Sequence, residues 1–187
     1  MEEKAINRPS TQPYMTVEEI YNEYCGRRSG LIRALTQDVD ILYELCDPQR
    51  PGDKKLCLFG YPDCSWNVRP PFGKVPPKIP EPLIGINVIR NEKDRKDWIT
   101  MVALHSDSWL MAVTFYYAIW SPLDKDQRAL LVSLIHSDTN VYEAVIAWNE
   151  PAKDNTTEAS GSKSRSTVKK LYYGRKITSI DIFLSDK

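Results

Sequence analysis

His105, Asp107 and Ser108 fall within one short stretch, and together they raise the possibility of hydrolytic chemistry with serine as nucleophile and histidine as base. The setting argues against it. A catalytic serine sits on a strained turn, with glycines that admit substrate and backbone N–H groups that form an oxyanion hole. Ser106 and Ser108 instead lie between two apolar helical stretches with no glycine nearby. The expectation is that Asp107 and Ser108 cap a helix beginning at Trp109, while His105 makes a hydrogen bond inside the fold.

The four cysteines, Cys25, Cys46, Cys57 and Cys64, all precede residue 65 and include no CxxC pair. Structural zinc needs closely spaced Cys/His pairs that present four ligands tetrahedrally, and no histidine accompanies these. They read as reduced core residues. Gly-rich phosphate loops, HExxH and paired-carboxylate signatures are also missing. Asp38 and Asp40 share a helix, but two residues apart they face different sides. The sequence reads as non-enzymatic, without catalytic, metal or cofactor residues. Arg27, Arg28 and Arg33 form a small basic patch, yet Glu18, Glu19, Glu23, Asp38, Asp40 and Glu44 share the segment. Sequence-specific DNA readout needs several base-reading side chains above a positive surface, and that pattern is absent.

The formal charge of zero is unevenly spread. Residues 152–187 hold eight Lys/Arg against four Asp/Glu, so residues 1–151 sum to −4. The N-terminus MEEKAINRPSTQP is acidic and polar and reads as no signal peptide. The apolar run Trp109–Trp120 spans about 18 Å as a helix, short of the ~30 Å hydrocarbon core of a bilayer. No membrane partner is expected.

These residues need elements to hold them. Residues 1–13 read as disordered. Thr16-Val17-Glu18-Glu19 is a capping box, and behind it Val17, Tyr21, Tyr24, Leu31, Leu35, Val39 and Leu42 recur at helical spacing. Gly26 is expected to break this run into two helices, the second stopping before Pro48. Leu56–Phe59 and Trp66–Val68 flank Gly60-Tyr61-Pro62-Asp63 and predict a hairpin, and a third strand is expected at Leu83–Ile89. Pro70–Pro82 contains six prolines in thirteen residues and reads as a stiff strap across the core. Asp94 caps the helix carrying Trp98 to Leu104. Ser121-Pro122 is expected to start the helix of Leu130, Leu131, Leu134 and Ile135, and Val141–Trp148 a last one. The fold class is α+β: one mostly helical domain over 14–148 with a small antiparallel β-sheet, flanked by disordered tails. Residues 149–187 read as a basic flexible linker and an atypical C-terminal segment. In that segment Ile180, Ile182 and Leu184 alternate, and it reads either as an unselected chain end or as an edge strand or short docking motif.

Three stretches carry a resemblance: TVEEIYNEYCGRRSGLIRALTQDVDILYELCDP (Thr16–Pro48), LCLFGYPDCSW (Leu56–Trp66) and VPPKIPEPLIGINVIRNEKDRKDWITMVALHSDSWLMAVTFYYAIW (Val75–Trp120). In this order they resemble the N-terminal domain of plant Alfin-like proteins, which end in a PHD finger. The resemblance implies a nuclear, chromatin-associated protein of transcriptional regulation. In the family, the finger reads histone three trimethylated at its fourth lysine, and the N-terminal domain recruits Polycomb-type RING proteins or self-associates. A PHD finger needs seven cysteines and one histidine, and no cysteine follows Cys64. The finger and its zinc are therefore expected to be missing, histone contact to be indirect, and DNA contact to be weak or absent.

The expected role is adaptor or competitor for complete relatives. The alternatives are a promoter-DNA-binding regulator or a vestigial truncated product. The partner-binding candidates are Lys96, Asp97, Trp98, His105, Asp107, Ser108 and Trp109. Two departures from the family stand out: a longer loop at Asp47–Lys55, and Arg69, Lys74 and Lys78 along a strap that is usually acidic. The strap charges would change any partner docking there by charge.

Overall fold

The computed structural model describes residues 14–49, 54–73 and 79–150. The expected disordered tails, the tip of the Asp47–Lys55 loop and the middle of the strap lie outside these residues, apart from Asn149 and Glu150. In chain order the elements are α1 (Val17–Leu35), α2 (Val39–Leu45), β1 (Cys57–Gly60), β2 (Trp66–Arg69), α3 (Ile86–Ile89), a 3-10 turn (Arg90–Glu92), α4 (Arg95–Trp120), α5 (Lys125–Ser137) and α6 (Val141–Asn149). Among the described residues the fold is α+β, mostly helical, with one two-stranded antiparallel sheet in which Cys57 pairs with Arg69 and Gly60 with Trp66.

α1 begins where the capping box predicts. The Thr16 hydroxyl accepts from the Glu19 amide, and the Glu19 carboxylate accepts from the Thr16 amide. The helix does not break at Gly26 but runs through it to Leu35. Gly26 and Gly30, one helical turn apart, are bare so that the β1–β2 turn can lie on the helix. A Cβ at Gly26 would sit 1.9 Å from the Pro62 carbonyl oxygen, and one at Gly30 2.3 Å from that of Ser65. Their role is close approach of two backbones. The turn between α1 and α2 falls instead at Thr36–Asp38.

The strand expected at Leu83–Ile89 does not form. Gly85 takes a φ of 87°, and the Gly85 and Ile86 amides both donate to the Leu56 carbonyl at 2.8 and 3.1 Å. The chain then coils into α3, burying Ile86 and leaving Ile84 and Val88 exposed. The side chain of Asn87 closes the junction, accepting from the Leu56 amide and donating to the Lys54 carbonyl.

α4 is the axis of the domain and packs against both α1 and α6. It buries Trp98, Val102, Ala103, Trp109, Leu110, Val113, Phe115 and Ala118; burial of a large apolar side chain contributes roughly 1.5–3 kcal/mol each. Asp94 caps it as expected, accepting from the Asp97 amide. The helix then continues without interruption through His105–Trp109, so no second cap exists there. α5 is capped by Asp124, not by Ser121: Asp124 and Gln127 form a reciprocal capping box. The Ser121 hydroxyl is engaged elsewhere, donating to the Tyr117 carbonyl and accepting from the Met15 amide.

The described ends of the strap lie against the core. The Trp109 indole N–H donates to the Pro80 carbonyl at 2.8 Å, and the Phe72 amide donates to the Glu81 carboxylate at 2.7 Å. The Arg69 guanidinium lies over the rings of Phe59 and Phe72, 4.0 and 3.8 Å from their centroids. Its Nε donates to the Tyr61 hydroxyl. The expected change in strap charge at Arg69 is thus spent inside the domain.

Replacing Gly26 with alanine forces the hairpin turn off α1. Overpacking of this kind costs about 1–3 kcal/mol, so Tm should fall by roughly 2–12 °C for a chain of this size. Ser29→Ala, on the exposed side of the same helix, serves as control and should leave Tm nearly unchanged. Thermal unfolding followed by circular dichroism measures both.

Candidate functional site

α4 divides the seven candidate residues between three environments. Trp98, Asp107 and Trp109 are buried, at 0%, 3% and 6% exposure. Asp97, His105 and Ser108 are exposed on one outward stripe, and Lys96 is exposed on another side of the helix. The structure therefore does not gather the seven into one surface.

Asp107 is spent on the fold. Its two carboxylate oxygens accept from the amides of Val141 and Tyr142, both at 2.9 Å. Asn140 caps the same helix through the Glu143 amide at 2.8 Å. The first three amides of α6 thus find side-chain acceptors, two of them on a carboxylate from another helix, which the positive end of the helix dipole favours. The expectation that Asp107 and Ser108 cap a helix at Trp109 is corrected: Asp107 caps α6, 34 residues away. The Ser108 hydroxyl folds back on the Leu104 carbonyl at 3.3 Å, the usual habit of a serine within a helix. His105 is not inside the fold but on the surface. With Asp107 turned inward and His105 outward, the three side chains do not form a nucleophile–base arrangement.

The two buried indoles hold neighbouring elements. The Trp98 Nε1 donates to the Ile86 carbonyl at 2.8 Å, and its ring meets Tyr43 edge-on. The Trp109 ring meets Phe59 edge-on. These tryptophans pin α3, α2 and the strap to α4.

What remains outward on α4 is a continuous stripe. Asp97, Met101, Leu104, Ser108, Ala112, Tyr116 and Ile119 follow one another at three- and four-residue spacing, with His105 beside Leu104 and four residues after Met101, all exposed or half-buried. Twenty-two residues of helix extend about 33 Å. Ile119 is 62% exposed, and Tyr116 stacks edge-on with Tyr117 and Trp120. The stripe thus passes from polar at its N-terminal end to apolar at its C-terminal end. Sequence reasoning found Asp97, His105 and Ser108 but missed Met101, Leu104, Ala112, Tyr116 and Ile119. The break expected at Asp107 concealed that they share one face.

The basic patch on α1 is internally engaged. Arg27 donates to the Gly60 carbonyl and to Glu23, Arg28 to the Thr139 carbonyl at 2.6 Å, and Arg33 to Asp38. Asp38 and Asp40 diverge as their spacing predicts: Asp38 also accepts from the Trp66 indole at 2.8 Å, whereas Asp40 pairs with Arg95. Among the described residues no group of three or more His, Cys, Asp or Glu side chains is placed to hold a metal ion, and no helix is long and apolar enough to cross a membrane.

A family profile described as Alfin matches residues 16–147. The chain belongs to the Alfin family. It is 44% identical over 161 residues to PHD finger protein ALFIN-LIKE 1 of Arabidopsis thaliana, covering 86% of this chain and 64% of that protein. It is 46% identical over 143 residues to PHD finger protein ALFIN-LIKE 5 of Oryza sativa subsp. indica, covering 76% and 53%. With PHD finger protein Alfin1 of Medicago sativa the identity is 43% over 157 residues, covering 82% and 60%. The chain thus spans less than two thirds of the length of each of these Alfin relatives.

All four cysteines are free, Cys46 and Cys57 buried and Cys64 exposed. Burial pushes the Cys46 thiol up to about 12 and the Cys57 thiol to about 11 from a usual 9.0, and it also raises Cys25. A thiol whose folded value exceeds its unfolded one favours the folded state fully below the unfolded value. That contribution is lost as the pH rises through the folded value. Urea unfolding should therefore show thiol-linked stability intact up to about pH 9 and declining toward 12. In the native protein at neutral pH, a thiol reagent should modify Cys64 first and reach Cys46 and Cys57 only on unfolding. Fast modification of Cys46 would contradict the packing.

Asp107→Ala leaves two amides of α6 without their acceptor and should cost about 3 kcal/mol or more. His105→Ala, on the surface, should stay within about 0.5 kcal/mol. Urea titration of both variants distinguishes the structural residue from the exposed one.

Proposed function

We propose that this chain is a non-enzymatic protein-interaction module of nuclear, chromatin-linked transcriptional regulation, using the outward stripe of α4 to bind Alfin-like relatives or Polycomb-type RING proteins. The observation that carries this reading is the stripe itself. A 26-residue helix that buries most of its bulk keeps one face toward solvent, ending in the exposed Ile119. A rigid helix presenting apolar residues at three- and four-residue spacing is a recurrent mode of protein recognition. Family membership supports the setting, because the relatives are named as PHD finger proteins.

Within residues 1–187 no cysteine follows Cys64, so these residues hold no finger of their own. In this reading the domain supplies recruitment or self-association without direct recognition of a histone tail. It acts as adaptor or competitor toward complete relatives, and it needs no cofactor, since zinc belongs to a finger.

Light scattering of the full chain mixed with a full-length Alfin-like relative tests the proposal. A stable complex is expected, and Ile119→Asp should weaken it at least tenfold without changing the thermal transition, because the side chain is exposed. A complex indifferent to Ile119→Asp and His105→Glu would place the interface elsewhere. Failure to associate with any relative or RING protein, or tight methylation-dependent binding of a histone-tail peptide by the chain alone, would overturn the module reading.

A further inference from the structure

On another side of the domain, α2, α4 and α6 meet around a cleft of about 340 Å³ lined by Val39, Arg95, Lys96, Ile99 and Asn149. Ile99 and the half-buried Val39 supply its apolar surface. Arg95 is committed to Asp40, whereas Lys96 has no ion-pair partner among the described residues. Asn149 is the last residue of α6, and Trp148 beside it is 59% exposed. The cleft is small, near the lower end of the ~300–1,000 Å³ typical of ligand sites, so it suits a few side chains of a peptide better than a folded surface.

We infer that the occupant of this cleft is the chain's own segment Ile180–Leu184, docking in cis. Three observations converge on it. The segment, Ile180-Asp181-Ile182-Phe183-Leu184, combines apolar side chains with an acidic residue, matching a lining that combines Val39 and Ile99 with the uncommitted Lys96. Asp181 and Asp186 give residues 180–186 a charge of −2, while residues 163–176 before them carry only Lys and Arg as charged residues. Between residues 163 and 186 the acidic charge thus falls only within and beside the part that would dock. Finally, the chain leaves the described domain at the cleft itself, since Asn149 lines it. Twenty-nine residues lie between Glu150 and Ile180, and such a stretch can extend up to ~100 Å, so the connection sets no limit on reach. Tethering makes the contact intramolecular, so a weak peptide site suffices. The cleft lies off the outward stripe of α4, so this inference stands apart from the partner-binding proposal.

The test is nuclear magnetic resonance of the full-length chain. Phe183→Asp should shift the backbone resonances of Val39, Lys96, Ile99 and Asn149 as well as those of its sequence neighbours. Lys96→Glu should shift the resonances of Asp181–Leu184, and adding Asp181→Lys should return them toward the parent positions. Shifts confined to the neighbours of residue 183 would overturn the inference. So would perturbations that appear only as the protein concentration rises, because a second copy would then be filling the cleft. Neither overturning result bears on complex formation through Ile119.

Discussion

The domain depends on one buried carboxylate. Asp107 sits near the middle of α4, among residues that pack against other helices, and leaving it uncompensated there would be costly. It is compensated by two amides at the start of α6, and those amides gain acceptors they would otherwise lack. One interaction thereby solves two problems and fixes where α6 must begin relative to α4. The loop before α6 is bound to α1 in turn, through the Tyr21 hydroxyl on Asp138 and the Arg28 guanidinium on the Thr139 carbonyl. Three helices far apart in sequence are brought to one point.

Where the hairpin meets α1, the closure is made by absence of side chains. Gly26 and Gly30 leave a bare strip on α1, and the β1–β2 turn lies on it with carbonyl oxygens where Cβ atoms would otherwise stand. The hairpin then carries Phe59 to Trp109 and Arg69 to Phe72, and the strap follows with its Pro80 carbonyl on the Trp109 indole. α4 is thus enclosed on several sides, and the face left uncovered is narrow and continuous. The aromatic residues that a sequence reader would nominate as interface anchors, Trp98 and Trp109, are the ones that enclose it.

Much of this was legible in the sequence because its causes are local. The capping box at Thr16, the Asp94 cap, the hairpin around Gly60–Asp63 and the last helix from Val141 all rest on contacts or propensities spanning a few residues. The misplaced elements share a different cause. Gly26 resembles a helix breaker unless the Pro62 carbonyl is known to rest against it. Ile84, Ile86 and Val88 alternate as in a strand, yet the Leu56 carbonyl draws the Gly85 and Ile86 amides into a coil. Asp107 resembles a local cap because its partners lie 34 residues ahead. In each case a tertiary partner overrode the local preference. The same misplaced cap split α4 in two and hid the stripe that continues from Asp97 to Ile119.

Two histidines report on the central claim, that the outward stripe of α4 is the surface through which this domain works. His105 stands on the stripe and His136 on α5, both exposed. The most direct measurement is histidine modification by diethyl pyrocarbonate, with mass-spectrometric readout, for the chain alone and in complex with a full-length Alfin-like relative. His105 is expected to lose reactivity on assembly while His136 keeps it. Protection of His136 with His105 unchanged would rule out the α4 stripe and move the working surface to α5.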